Sequence, residues 1–213
     1  MNVDTHPFVA PPPDEDQWHP APGYDGVIID SRYPELVHKV QRLNEAFTTA
    51  APTGDVMAEV TSKLDEAIKL LAEYEVPEAE WLAGRRLELA DKGQAFTPAF
   101  EVTEWDRDHV VGTLSFNRYY VGGNNAAHGG AIGLVFDDIL GRLAGTSGRG
   151  VSRTAYLNIS YRQVTPIDKE LTVIGRFERE EGRKRFIHGE ILDGDVLCAE
   201  AEGLFIALLP GQP

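Results

Sequence analysis

Two adjacent carboxylates, Asp137 and Asp138, sit in a stretch that is otherwise apolar almost all round. That stretch begins directly behind a His-Gly-Gly turn and reads Ala127-His128-Gly129-Gly130-Ala131-Ile132-Gly133-Leu134-Val135-Phe136-Asp137-Asp138. A helix that is apolar on every side belongs inside a core, and an unpaired carboxylate there is costly. Each acid therefore needs a structural partner or a chemical task, and the task open to a carboxylate in an apolar setting is that of base or nucleophile. On a helix the two side chains diverge by about 100°, so one neighbourhood does not serve both.

The rest of the chain limits what that chemistry acts on. It has 213 residues, 42% of them apolar, and a formal charge of −14. Nucleic-acid binding is dominated by Lys and Arg, so this balance argues against it, and against anionic membrane surfaces. The single cysteine, Cys198, excludes an internal disulfide framework and suits a reducing compartment. No apolar run approaches the roughly 18 residues of a membrane span. Residues 1–16 are proline-rich and acidic, without the basic and apolar segments of a secretory leader. The expectation is a soluble cytoplasmic protein.

The elements around the acids follow from hydrophobic period. Residues 1–26, with Pro11-Pro12-Pro13 and Asp14-Glu15-Asp16, read as an extended acidic arm. A helical extension follows over 27–95, with one apolar stripe at Leu36, Val40, Leu43 and Phe47 behind Pro34, and a second at Val56, Val60, Leu64, Ile68 and Leu71. Two helices bury too little to stand alone, so they are expected to pack on the remainder or on a partner. Residues 1–95 hold 18 Asp and Glu against 8 Lys and Arg, so most of the net negative charge lies there.

From Phe96 the period changes. Strands are expected over Phe100–Trp105 and Val110–Phe116, then the apolar helix over Gly130–Ala144. Four more strands follow, Thr154–Val164, Leu171–Glu181, Arg183–Asp193 and Val196–Ala207. Their connections are too short for parallel crossovers. One helix wrapped by one curved antiparallel sheet is the economical α+β arrangement.

This order and the His128-Gly129-Gly130 turn resemble the hotdog-fold acyl-CoA thioesterases, in particular the phenylacetate-pathway (PaaI-like) type that includes the thioesterase superfamily members. In that family the catalytic Asp stands nine residues after the His, which is where Asp137 falls. The segment Thr154-Ala155-Tyr156-Leu157-Asn158-Ile159-Ser160-Tyr161 is similar to a family strand carrying a Ser or Thr that assists the carboxylate, at the position of Thr154. The resemblance covers 96–213. It implies a hotdog domain that hydrolyses a fatty or aromatic acyl-CoA in fatty acid metabolism, with no cofactor and no metal, as a homodimer or dimer of dimers.

By the same resemblance, the Gly129 N–H is the main donor to the thioester carbonyl oxygen, Gly130 assists and His128 shapes the turn. The helix N-terminus adds positive potential for the developing oxyanion. Asp137 acts either as general base on water or as nucleophile forming a mixed anhydride. Thr154 holds the carboxylate or the water. Geometry adds a point that needs no family. A helix starting near Gly129 places Asp137 eight residues on, roughly 12 Å along the axis. One carbonyl is not easily served by both groups of one chain, but it is by two chains, so the spacing predicts a site across a two-fold interface.

Several assignments keep two readings. Asp138 either shares the chemistry or bonds a neighbouring loop or chain. Some relatives carry an Asn or Gln six residues before the His. Gly122 stands there here, and Asn125 or Asn124 either substitutes or serves as a turn residue. Arg183-Lys184-Arg185 either grips the CoA phosphates or is a solvated hairpin end balancing Glu178, Glu180 and Glu181. Arg153 and Arg162 are further candidates for that grip, and Leu134, Phe136 and Tyr156 for lining the acyl site. The pair Cys198 and His188 lacks any supporting motif, and the histidines show no metal-ligand spacing. The alternative functions are a hotdog dehydratase or hydratase on acyl thioesters, and a non-catalytic acyl-CoA-binding protein.

Overall fold

The computed structural model describes residues 32–84, 89–209 and 211–212, so the arm expected over 1–26 lies outside the described residues. Helices α1 (Tyr33–Thr49) and α2 (Gly54–Ala72) run where their apolar spacing places them. Their faces differ from expectation. Leu36, Val40, Leu43 and Phe47 are exposed, and α1 instead buries Val37. Polar groups complete the seam: Tyr33 Oη donates to Gly93 O (2.8 Å) and Gln41 Nε2 to Asp91 Oδ2 (2.9 Å). Helix α2 buries no residue and leaves Val56, Val60, Leu64, Ile68 and Leu71 exposed.

The remainder opens with β1 (Phe100–Trp105) and β2 (His109–Leu114). A short 3-10 turn (Arg118–Tyr120) and a small hairpin of β3 (Val121–Gly123) and β4 (Ala126–Ala127) lead into α3 (Gly129–Gly145). Then come β5 (Ser152–Tyr161), β6 (Leu171–Glu181), β7 (Lys184–Asp193) and β8 (Val196–Ala207). The six long strands form one sheet in the order β1-β2-β6-β7-β8-β5, antiparallel at every step. The third strand of this sheet in chain order therefore lands at the far edge, and α3 crosses the sheet to take it there.

Strand ends shift by a few residues from the pattern in the sequence. β2 stops at Leu114 because Asn117 caps the 3-10 turn, its Oδ1 accepting from Tyr119 N at 3.1 Å. β5 stops at Tyr161 because the next two N–H groups, of Arg162 and Gln163, both turn to Cys198 O (2.8 and 3.0 Å). The β3–β4 hairpin was not legible beforehand. Two pairs of ladder residues are too few to give a hydrophobic alternation.

Helix α3 is the centre of the core. Ala131, Ile132, Val135, Phe136, Ile139, Leu140, Leu143 and Ala144 are buried against Val110, Leu171, Val173, Ile187, Ile191, Ala201 and Phe205 of the sheet. The sheet is cut back where the helix presses closest. Gly175, Gly189 and Ala201 are register partners across β6, β7 and β8. A Cβ on Gly189 would stand 2.9 Å from the Phe136 ring and 3.1 Å from Leu140 Cδ2, and one on Gly175 3.2 Å from Leu140 Cδ2. Phe136 is thereby a core residue and not part of an acyl-site lining.

Gly189→Ala overpacks this seam, and such changes cost about 1–3 kcal/mol. A urea titration is expected to show a lower midpoint with an unchanged slope.

Candidate active site

The β3–β4 hairpin delivers His128 to the start of α3. His128 is the N-cap residue, with φ −65° and ψ 133°, and its Nδ1 accepts from Gly130 N at 2.9 Å. Its own N–H donates to Tyr120 O (2.7 Å), and its carbonyl accepts from Ala131 N (2.9 Å). The cap consumes the Gly130 N–H. The Gly129 N–H has no hydrogen-bond partner among the described residues, so it is the open donor at the helix end.

The two glycines flanking this turn are there for space. A Cβ at Gly122 would stand 2.9 Å from His128 Cα. The absence of an Asn or Gln at that position thus reflects close packing of the hairpin. Gly129 faces Tyr161, whose Oη would be 2.9 Å from a Cβ and which donates to Gly129 O at 3.0 Å. Tyr161 therefore pins the start of α3, a role no spacing in the sequence revealed. Asn124 and Asn125 have φ of 50° and 57° and form the hairpin turn. Asn125 also borders an open cavity of about 640 Å³ beside Thr48, Thr49, Arg118 and Asp168, a cavity that does not include Asp137 or Thr154.

At mid-helix, Asp137 is exposed and accepts from Thr154 Oγ1 at 2.7 Å. A β-bulge makes this contact compatible with the Tyr161 contact. The β5–β8 register jumps between Thr154 and Tyr156, so Thr154 opposes Phe205 while Leu157, Ile159 and Tyr161 oppose Gly203, Ala201 and Ala199. Without the extra residue, Thr154 and Tyr161, seven apart, would lie on opposite faces. Tyr156 opposes Leu204 and lies on the other face from Thr154. Arg153, one residue before Thr154, is also on the outer face.

Asp138 goes elsewhere. Its side chain is 8% exposed, paired with Lys92 Nζ and 3.6 Å from Arg142 Nε one turn on. Arg142 in turn lies over the Phe100 ring at 4.8 Å. The neighbouring loop that takes up Asp138 comes from the N-terminal extension, so residues 89–99 join the sheet-wrapped helix and do not stand apart from it. Phe100 N–H donating to Ala90 O at 3.4 Å ties the same loop to β1.

The basic run divides. Arg183 and Lys184 are exposed at the β6–β7 turn, and Arg183 Nη1 reaches Ala207 O (3.3 Å) and Gln212 Oε1 (3.2 Å). Arg185 is 4% exposed, and its guanidinium serves the end of α3. Nη1 donates to Ala144 O (2.8 Å) and Gly150 O (2.9 Å), Nη2 to Arg149 O, and Nε to Glu180 Oε1 (3.2 Å). It caps a helix C-terminus and holds the glycine-rich 145–150 segment, so Arg185 is corrected from a phosphate ligand to a part of the fold. Arg162 pairs with Glu200. Cys198 is buried, and its thiol lies by Val164 O and Val196 O at 3.6 and 3.7 Å. Among the described residues no group of His, Cys, Asp and Glu is arranged to hold a metal, and no helix is long and apolar enough to cross a membrane.

With this geometry in place, comparison with known proteins gives the fold its name. A thioesterase superfamily protein of known crystal structure superposes with a TM-score of 0.72 at 24% identity, covering 84% of this chain and 92% of that one. The architecture is the hotdog fold, an α+β fold with the two N-terminal helices added. In sequence, the chain is similar to acyl-coenzyme A thioesterase THEM4 of Mus musculus, 39% identical over 88 residues, which are 40% of this chain and 37% of that protein. It is likewise similar to THEM4 of Bos taurus, 32% identical over 107 residues, covering 49% and 44%. The matches thus span less than half the length of these relatives. No family model matches the chain.

Since three backbone carbonyls depend on Arg185, Arg185→Met is expected to lower unfolding free energy by about 1–3 kcal/mol. Lys184→Met, at an exposed site, should change it by less than about 0.5 kcal/mol. Thermal or denaturant unfolding of the two variants checks the contrast.

Proposed function

We propose that this chain hydrolyses the thioester of a fatty or aromatic acyl-CoA, with Asp137 as the catalytic carboxylate and the Gly129 N–H as oxyanion donor. The observation that carries this reading is the 2.7 Å hydrogen bond from Thr154 to Asp137 Oδ1 on an exposed helix face. With one oxygen held by the hydroxyl, the other is presented in a defined direction. Similarity to named acyl-CoA thioesterases supports the choice of substrate class.

In the base form of the reaction, Asp137 removes a proton from water as the oxygen attacks the carbonyl carbon. Negative charge gathers on the carbonyl oxygen, where the Gly129 N–H and the positive end of α3 stabilise it. Collapse breaks the C–S bond, the CoA thiolate leaves, and the proton held on Asp137 returns to it. In the nucleophile form Asp137 itself attacks, CoA leaves, and water then hydrolyses the mixed anhydride. Nothing in either form calls for a metal or cofactor.

Gly129 and Asp137 are eight residues apart on one helix, about 12 Å along its axis. A complete site therefore takes Asp137 and Thr154 from one copy and Gly129 from a second. β5 ends the sheet, and an unpaired edge of that length is a natural surface for another copy. His128 enters as a cap and not as an acid or base, since its Nδ1 lone pair is spent on Gly130. That favours hydrolysis over a hydratase reaction, which needs a free imidazole. Arg183 and Lys184, exposed and basic, remain the candidates to hold the CoA phosphates.

Thiol release across short, long and aromatic acyl-CoAs tests the reaction. Asp137→Asn is expected to lower kcat by at least ~100-fold, the usual scale of acid–base catalysis, and an unaltered rate would sink the proposal. The shared site has a sharper signature. Gly129→Pro removes the N–H at a helix position that accepts proline, and the exposed Tyr161 hydroxyl, which the added Cβ would meet at 2.9 Å, has room to yield. Mixed dimers of Gly129→Pro and Asp137→Asn chains regain one intact site in half of the molecules, so activity should recover to about a quarter of wild type. No recovery means that each site lies within one chain.

A further inference from the structure

Lys92 belongs to the N-terminal extension, yet its ammonium is delivered to the helix that carries Asp137. The delivery is elaborate. Lys92 has φ 54°, a left-handed conformation uncommon outside glycine. It is held there by its carbonyl accepting from Gly84 N (3.0 Å) and its N–H donating to Leu89 O (2.9 Å). Asp91, next to it, accepts from Gly93 N at 2.8 Å and from Gln41 Nε2 of α1 at 2.9 Å. Tyr33 of α1 secures Gly93. A strut thus runs from α1 through the 89–94 loop to Asp138.

At the end of that strut two cations approach one buried carboxylate. The groups facing Lys92 from α3 are Asp138, Arg142 and Asp137, and Asp91 lies beside it on its own loop. Arg142 Nε and Nη2 are buried and have no hydrogen-bond partner among the described residues. Two cations therefore compete for Asp138, and Lys92 wins the contact while Arg142 stays at 3.6 Å. Burial, with Arg142 alongside, pulls the Lys92 ammonium down to about 7, and the field of Asp137 opposes that shift. A buried ion pair is seldom the most stable filling for such a space, because apolar residues of similar volume often do as well or better. Stability alone is a poor reason for a lysine here.

We propose that Lys92 is a positioning residue of the Asp137 site: its ammonium holds Asp138 away from Arg142 and so sets the rotation of α3 at which Asp137 meets Thr154. The same cation lies within the field of Asp137. The inference rests on the reading of Asp137 as the catalytic carboxylate, but the placement of α3 can be measured without it. The N-terminal extension is, on this view, a working part of the active site.

Lys92→Met, Lys92→Arg and wild type are compared by hydrogen–deuterium exchange over 129–145 and by acyl-CoA hydrolysis. In Lys92→Met, α3 amides around Asp137 should exchange at least several-fold faster, and kcat should fall ~10-fold or more with KM within about twofold, the pattern of an interaction felt in the transition state. Lys92→Arg keeps the charge and should restore both. The ion pair requires the protonated lysine, so wild-type kcat should decline as pH rises through about 7. That decline should vanish in Lys92→Arg, whose guanidinium stays charged. Exchange and kcat both unchanged in Lys92→Met, or a Lys92→Arg variant as impaired as Lys92→Met, overturns the proposal. If Lys92→Met does not fold, Lys92→Arg decides alone, and a decline at the same pH in that variant overturns it. Asp137→Asn with full activity would instead refute the functional reading, and the exchange data would still judge Lys92.

Discussion

The depth to which α3 sinks into the sheet governs everything built around it. A Cβ on Gly189 would crowd Phe136 and Leu140, and one on Gly175 would crowd Leu140 and Val110 of β2, so the helix comes closer to these strands than ordinary side chains permit. Close packing of this kind rewards precision and punishes added volume. Once the helix is seated, eight of its 17 residues are buried, and polar groups on α3 have to leave from its other side. Asp137, Asp138 and Arg142 all do so.

The two acids then part company for reasons of direction. Asp138 faces the loop at 89–94 and is closed over by Lys92 and Arg142, while Asp137 faces β5 and remains open to solvent. A bulge of one residue in β5 decides that Thr154 and Tyr161 point to the same side, one toward Asp137 and the other toward the helix start. One edge strand thereby braces both the start and the middle of α3. The same strand ends the sheet, and its outer edge is unpaired among the described residues.

Positive charge in this acidic protein is largely committed to structure. Arg185 closes the end of α3, Arg149 reaches Asp108 and the Phe177 ring, Arg142 and Lys92 share Asp138, and Arg162 and Arg176 pair with Glu200 and Glu190. Arg153, Arg183 and Lys184 are exposed basic groups outside these pairs. The exposed stripes of α1 and α2 are a different matter, since apolar faces of that extent are ordinarily covered by something.

Much of this was readable from residue types and spacing. The apolar run 130–144 announced a buried helix, and the short connections after it forced antiparallel strands. Those are local facts, carried by period and chain length. Other features had no local signal. Nothing near Arg185 distinguished a buried helix cap from its exposed neighbours Arg183 and Lys184, because burial depends on which carbonyls the α3–β5 segment brings to it. The bulge at Thr154–Tyr156 inverts side-chain direction without altering composition. Lys92, 45 residues before Asp137, looked like one more charge in an acidic extension. The sequence determined which groups exist and how far apart they lie along the chain; the tertiary structure alone decided which of them meet, because contacts between distant segments follow from packing volume and strand phase.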